Sequence, residues 1–186
     1  MKIRLAAELQ KDSIVDGEGI RAVLWTQGCL HKCRGCQNPM THSFTGGALV
    51  DLEEVYSWIE ELKGHDGITL SGGDPMYQPL PCAHIAKYCH KLGLNVWCYT
   101  GFTFEELLSK SKEDKNILEL LKNIDVLVDG PFILEQKSLD VKFRGSRNQR
   151  VIDVAKSLSN EKVVILKGYN EITTSYNPLQ RKYMYI

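Results

Sequence analysis

The sequence predicts an α/β fold, an open, partial (β/α) barrel of about five or six mostly parallel strands. Three observations carry this. Strand-like and helix-like stretches alternate at roughly 30 residues per unit, the pattern of parallel βαβ winding. The chain has 186 residues, whereas a complete eight-unit barrel takes about 250. Glycine and polar residues gather where strand-like runs stop: Gln27-Gly28-Cys29, Ser71-Gly72-Gly73-Asp74, Tyr99-Thr100-Gly101 and Asp129-Gly130-Pro131. In parallel α/β folds the carboxyl ends of the strands share one rim, and sites form there.

The elements follow in order. A short apolar stretch leads into Val15-Asp16-Gly17-Glu18-Gly19, a run of turn residues. Ile20 to Thr26 reads as the first strand, feeding a cysteine-rich loop. From Asp51 to Leu62, Leu52, Val55, Tyr56, Ile59 and Leu62 mark one helical face, with Asp51 placed to cap it. Gly67 to Leu70 is a short strand ending in Ser71-Gly72-Gly73-Asp74-Pro75. Pro81 to Leu92 is a helix closed by Gly93. Leu94 to Tyr99 is the third strand, and Thr103 with Glu106 forms a capping box for the next helix. Ile117 to Leu121 is helical, and Ile124 to Val128 is a fourth strand. Residues 139–150 are polar and loop-like, Val151 to Leu158 fits helix and strand equally, and Lys162 to Leu166 is a last strand. The whole chain, 1–186, reads as a single domain with no repeat or linker, and its tail from about 167 has no assigned role.

Composition narrows the function. Lys plus Arg number 23 and Asp plus Glu number 23, so the formal charge is zero and gives no nucleic-acid footprint. Hydrophobic residues make up 43%, enough for a core, and no apolar run reaches the ~20 residues that span a bilayer. Met1 to Glu8 meets a carboxylate too early for a signal-peptide core, so a cytoplasmic location is expected. Six cysteines in such a compartment are thiols or metal ligands.

Three of them, Cys29, Cys33 and Cys36, lie in a C-x3-C-x2-C run within Gly28-Cys29-Leu30-His31-Lys32-Cys33-Arg34-Gly35-Cys36. A cubane [4Fe–4S] cluster normally takes four thiolates. Three nearby thiolates leave one iron open to a small molecule. A structural zinc ion wants four protein ligands, and His31 as the fourth would make a chelate tight enough to strain a tetrahedron. Three metal-free loop cysteines are the remaining reading. Cys82, Cys89 and Cys98 sit in periodic apolar segments and read as core thiols. Trp25, Trp58 and Trp97 read as core, and His31 and Lys32 as exposed loop residues.

Cys29, Cys33 and Cys36 resemble the hallmark of the radical S-adenosylmethionine superfamily, which lies in the loop after the first barrel strand. Gly72-Gly73-Asp74 looks like its GGE-type turn, with Asp for Glu. Asp16 to Arg21 is similar to the D-G-x-G-x-R lead-in of glycyl-radical-enzyme activating proteins. Gly35 before the last cysteine, Asp125-Val126-Leu127-Val128-Asp129-Gly130, and Arg144-Gly145-Ser146-Arg147-Asn148-Gln149-Arg150 resemble the subgroup that activates anaerobic ribonucleotide reductase. The resemblance covers about residues 1–166.

The resemblance implies a [4Fe–4S] cluster on the three cysteines and S-adenosylmethionine chelated at the open iron. Reductive cleavage there yields a radical that takes hydrogen from a glycine Cα, chemistry that side chains cannot perform. No side chain is expected to be catalytic beyond the cluster and cofactor. Gly72 and Gly73 would let the backbone approach the methionine group. Asp74 would accept from its amine, Asp129 would touch the ligand or a nearby cation, and Asn148 would reach the carboxylate or ribose. Ser146 and Arg150 share that loop. Asp16 and Arg21 would hold the cluster loop or dock the partner. The implied partners are the large reductase subunit and a reduced flavodoxin- or ferredoxin-type donor, with no nucleic acid and no membrane. The alternatives are an activator of another glycyl radical enzyme such as pyruvate formate-lyase, a carboxy-deazaguanine-synthase-type enzyme acting on a small molecule, and a non-enzymatic iron–sulfur or zinc protein.

Overall fold

The computed structural model describes residues 1–169. Its elements are β1 (Lys2–Leu5), β2 (Gln10–Ser13), β3 (Arg21–Thr26), β4 (Ala48–Asp51), α1 (Leu52–Glu60), β5 (Gly67–Gly72), α2 (Pro79–Lys91), β6 (Asn95–Tyr99), α3 (Phe104–Lys110), α4 (Lys115–Leu121), β7 (Val126–Asp129), β8 (Arg150–Asp153) and α5 (Val154–Ser159). One mixed sheet runs β4-β1-β3-β5-β6-β7-β8, with β2 paired to β3. The pairs β3·β5, β5·β6 and β6·β7 are parallel. The flanks are antiparallel: β1·β3, β1·β4 and β2·β3 on one side, β7·β8 on the other.

The centre of the sheet is thus parallel, as expected, but among the described residues the sheet is open and has eight strands rather than five or six. The extra strands are four-residue pieces. β2 and β4 are mostly exposed, so they lack the apolar alternation that marks a strand in sequence. The ambiguous stretch 151–158 divides between the end of β8 and α5, at Asp153, whose side chain accepts from Lys156 N. The expected last strand at 162–166 makes a single bridge, Ile165 to Ile152. Residues beyond Tyr169, most of the unassigned tail, lie outside the described residues.

The helix-end signals hold at α2 and α3 but not at α1. Thr103 and Glu106 form the reciprocal capping box of α3, and Gly93 follows α2 with φ of 76°. Asp51 stands at the N-cap of α1 without a capping hydrogen bond and pairs with Lys2 across β1·β4 instead. The core is the apolar faces of α1, α2, α3 and α4 on the sheet; Cys82, Cys89 and Cys98 are fully buried in it. Among the described residues no helix is long and apolar enough to cross a membrane.

Candidate functional site

The carboxyl ends of β3, β5, β6 and β7 meet as expected, and a cavity of about 210 Å³ opens there. Cys29, Cys33, Cys36, Gly72, Gly73, Thr100, Gly101 and Gly130 line it. The cysteine loop leaves β3 and returns to its own start, because Gly28 N donates to Thr41 O at 2.8 Å and Cys29 N to His42 O at 3.1 Å. Gln27, buried beneath it, donates to Met40 O and Ser43 O and fastens the returning limb. Within the loop Cys36 N donates to Cys33 O, and Lys32 takes a left-handed φ of 49°.

All three thiols are free of disulfides. Burial first, then the nearby Asp74 and cysteine charges, pushes the Cys29 thiol up to about 11, against one backbone bond that lowers it. A metal must therefore displace its proton. Cys36 Sγ accepts from Asn38 N at 3.4 Å and lies 3.3 Å from His42 Nε2. Bonds to sulfur of this kind tune iron–sulfur centres. Among the described residues no three His, Cys, Asp or Glu side chains form a group that could hold a single metal ion. The donor set is three thiols lining one open cavity, which fits three ligands spread over separate irons with space for a further ligand.

Gly72 and Gly73 line the cavity, but contacts within the protein are what demand glycine there. A Cβ on Gly73 would lie 2.4 Å from Gly28 O, and one on Gly72, whose φ is 103°, 2.4 Å from Thr26 O. The glycine turn and the start of the cysteine loop are in backbone contact, joined by Gly73 N to Thr26 O and Asp74 N to Gly28 O. Gly73→Ala is expected to push these loops apart, costing about 1–3 kcal/mol and lowering iron uptake. Thermal melting and iron per chain measure this; wild-type values for both would remove the steric argument.

Asp74 is 1% exposed and does not line the cavity. Its Oδ1 accepts from Met76 N at 2.9 Å. Its Oδ2 accepts from Thr100 Oγ1 at 2.9 Å and Gly101 N at 3.0 Å, and lies 2.8 Å from His31 Nε2. Asp129 is equally buried. It accepts from Phe104 N at the start of α3 and forms a two-pronged pair with Arg150. That pair, with Glu105, holds the Arg150 guanidinium protonated beyond its ordinary range. Asn148 donates to Pro131 O and accepts from Ser146 Oγ, each at 2.7 Å.

Three expectations are corrected here. Arg21 cannot be a docking residue, because it is fully buried and donates to Thr69 Oγ1, Ile68 O, Glu18 O and both oxygens of Asn95. His31 is not an exposed loop residue: its side chain is 16% exposed and bound to Asp74. Trp25 lines the cavity rather than the core and donates to Gln10 Oε1. Lys32 is exposed as expected, and Asp16 lines the cavity.

Two residues the sequence did not single out also belong to the site. Gln149 lines the cavity, accepts from Gly145 N and Ser146 N, and donates to Gly130 O, which closes the 144–150 loop onto the end of β7. His42 reaches Cys36 from six residues on. Gln149 lies inside the stretch Arg144 to Arg150, so a signal existed; nothing in the spacing marks His42.

A glycine-rich rim bearing three thiols at the parallel centre of a mixed sheet fits an open iron–sulfur cluster site. In agreement, the model of the family described as 4Fe-4S single cluster domain matches residues 15–152. An anaerobic ribonucleoside-triphosphate reductase-activating protein of Haemophilus influenzae is 37% identical over 145 residues, covering 73% of this chain and 89% of that one. The protein of that name from Enterobacteria phage T4 is 37% identical over 153 residues, 74% of this chain and 86% of that one. That from Escherichia coli K12 is 33% identical over 147 residues, 74% and 91%. The chain belongs to this family of anaerobic ribonucleoside-triphosphate reductase-activating proteins. A solved structure of QueE from Escherichia coli aligns with TM-score 0.46 at 17% identity, over 55% of this chain and 54% of that one, too partial a match to argue from.

Proposed function

We propose that the protein reductively cleaves S-adenosylmethionine at a [4Fe–4S] cluster and generates a glycyl radical on anaerobic ribonucleotide reductase. The observation that carries this is the segregation of the cysteines. Cys29, Cys33 and Cys36 line one cavity at the strand rim, while Cys82, Cys89 and Cys98 are sealed in the core. Family membership names the reductase as the partner.

In this reading the three loop thiolates hold the cluster. When bound, the cluster and S-adenosylmethionine supply one-electron cleavage of the sulfonium bond and abstraction of a hydrogen atom from glycine. The protein contributes position and exclusion of water. Gly72 and Gly73 present backbone to the bound methionine group. Asp74, Asp129 and Asn148 are engaged by the protein's own donors, so their part in cofactor binding runs through the loops they fasten. The open sheet serves as the partial barrel, whose wide rim admits a glycine-bearing segment of the partner. A reduced flavodoxin or ferredoxin is the electron source. Anaerobic reconstitution with iron and sulfide, followed by assay of methionine release from S-adenosylmethionine, tests the chemistry. A colourless zinc protein that releases no methionine would overturn it.

A further inference from the structure

We infer that His31 is a positioning residue that locks the cluster loop to the glycine turn through Asp74. The inference rests on the reading that Cys29, Cys33 and Cys36 hold a cluster, and adds a residue to which that reading gives no role. His31 lies midway between two of the three thiols. Its Nε2 is 2.8 Å from Asp74 Oδ2, across 43 residues of chain. The other donors to that carboxylate come from the end of β6 and from the segment after β5. Asp74 therefore joins three loops of the rim at one point, and His31 brings the cluster loop's side chain into the junction.

The surroundings are shaped for the ring. Phe102 meets His31 edge to face at 4.4 Å, and Tyr77 packs at 6.0 Å. A Cβ on Gly101 would fall 2.5 Å from the imidazole Cδ2 and 2.7 Å from Nε2. Gly101 thus leaves the space that the ring fills. The neighbouring Lys32 sits at a left-handed φ that a non-glycine residue rarely adopts unless held. A loop fixed at His31 presents Cys29 and Cys33 at a set separation before any iron arrives, and partners behind a metal site commonly change affinity about 10–100-fold when removed.

The test compares His31→Ala, His31→Gln, Gly101→Ala and Arg34→Ala, each checked by circular dichroism. After anaerobic reconstitution, two quantities are read: the rate of iron loss to a chelator, and the electron paramagnetic resonance spectrum of the reduced cluster. His31→Ala and Gly101→Ala should both lose iron about tenfold faster and show the same altered spectrum. His31→Gln keeps a donor for Asp74 and should recover most of both. Arg34→Ala, in the same loop as His31, removes an exposed ion pair to the distant Glu135 and should match wild type. Wild-type iron loss and spectrum in His31→Ala would overturn the inference; so would equal damage in His31→Gln and His31→Ala, which would make the ring's packing the cause. Should His31→Ala fail to fold, Gly101→Ala and His31→Gln decide alone. A wild-type protein that takes up no cluster would instead sink the underlying functional reading.

Discussion

Cys33→Ala should reduce iron per chain to background and abolish cleavage of S-adenosylmethionine, while Cys82→Ala should preserve both. Cys33 is partly exposed and lines the cavity, so removing it disturbs little packing and takes away one of three ligands. Cys82 is fully buried among apolar side chains, where desolvation raises its thiol; Cys89 is pushed up to about 12 for the same reason. A buried thiol without an entry path does not become the thiolate that iron needs. Cys29 is also raised, yet it faces the cavity, where a cation can displace its proton. Cys82→Ala should cost only roughly 1 kcal/mol, as for loss of a small core group. Iron assay and methionine release measure both variants. A requirement for Cys82, Cys89 or Cys98 in cluster binding would end the open-iron account.

Arg21→Leu should be the most destabilising single change outside the apolar core, by about 3–5 kcal/mol. The guanidinium is buried at the start of β3, with neutral acceptors around it and the Trp97 ring 5.4 Å away. Burial lowers its pKa to about 10, still well above neutrality. Leucine would take the donor away from Thr69 Oγ1 and Ile68 O, both in buried residues, and from the exposed Asn95 Oδ1; a buried acceptor left without its donor costs about 1–3 kcal/mol. Gly17, in the loop folded over the arginine, has no room for a side chain, since its Cβ would lie 2.8 Å from Arg21 Cδ. Thermal unfolding should therefore shift down by about 10 °C, at roughly 2–4 °C per kcal/mol. Radical transfer and partner-free cleavage should fall together as folded protein is lost. A melting temperature within about 1 °C of wild type would contradict the buried-anchor role, as would loss of radical transfer alone.

What the sequence made legible was local. The cysteine spacing, the Gly72-Gly73 turn, the Thr103–Glu106 capping box and the apolar face from Leu52 to Ile59 each arise within a dozen residues, and each is in place. What it concealed was made by distant contacts. β1 and β4 pair Lys2 with Asp51 across the whole cysteine loop, and each strand is too short to show a period. Arg21 lies in a recognisable lead-in, but arginine is seldom fully buried, so the sequence leaves a docking role open beside a loop-holding one. Asp74 is the sharpest case. Its Gly-Gly-Asp setting marks a turn at the rim, whereas its partners Thr100, Gly101 and His31 are 26, 27 and 43 residues away. No local pattern reports that a carboxylate will be saturated by such donors.

The proposed activity places a radical on a glycine of a reductase. Reconstituted protein, a chemical reductant, S-adenosylmethionine and the apo form of an anaerobic ribonucleotide reductase should be combined without oxygen and followed by electron paramagnetic resonance. A carbon-centred glycyl signal is expected that needs all four components, carries the reductase's own glycine coupling, and is absent with Cys33→Ala. No signal on the reductase, together with steady consumption of a free small molecule by the activase alone, would contradict it.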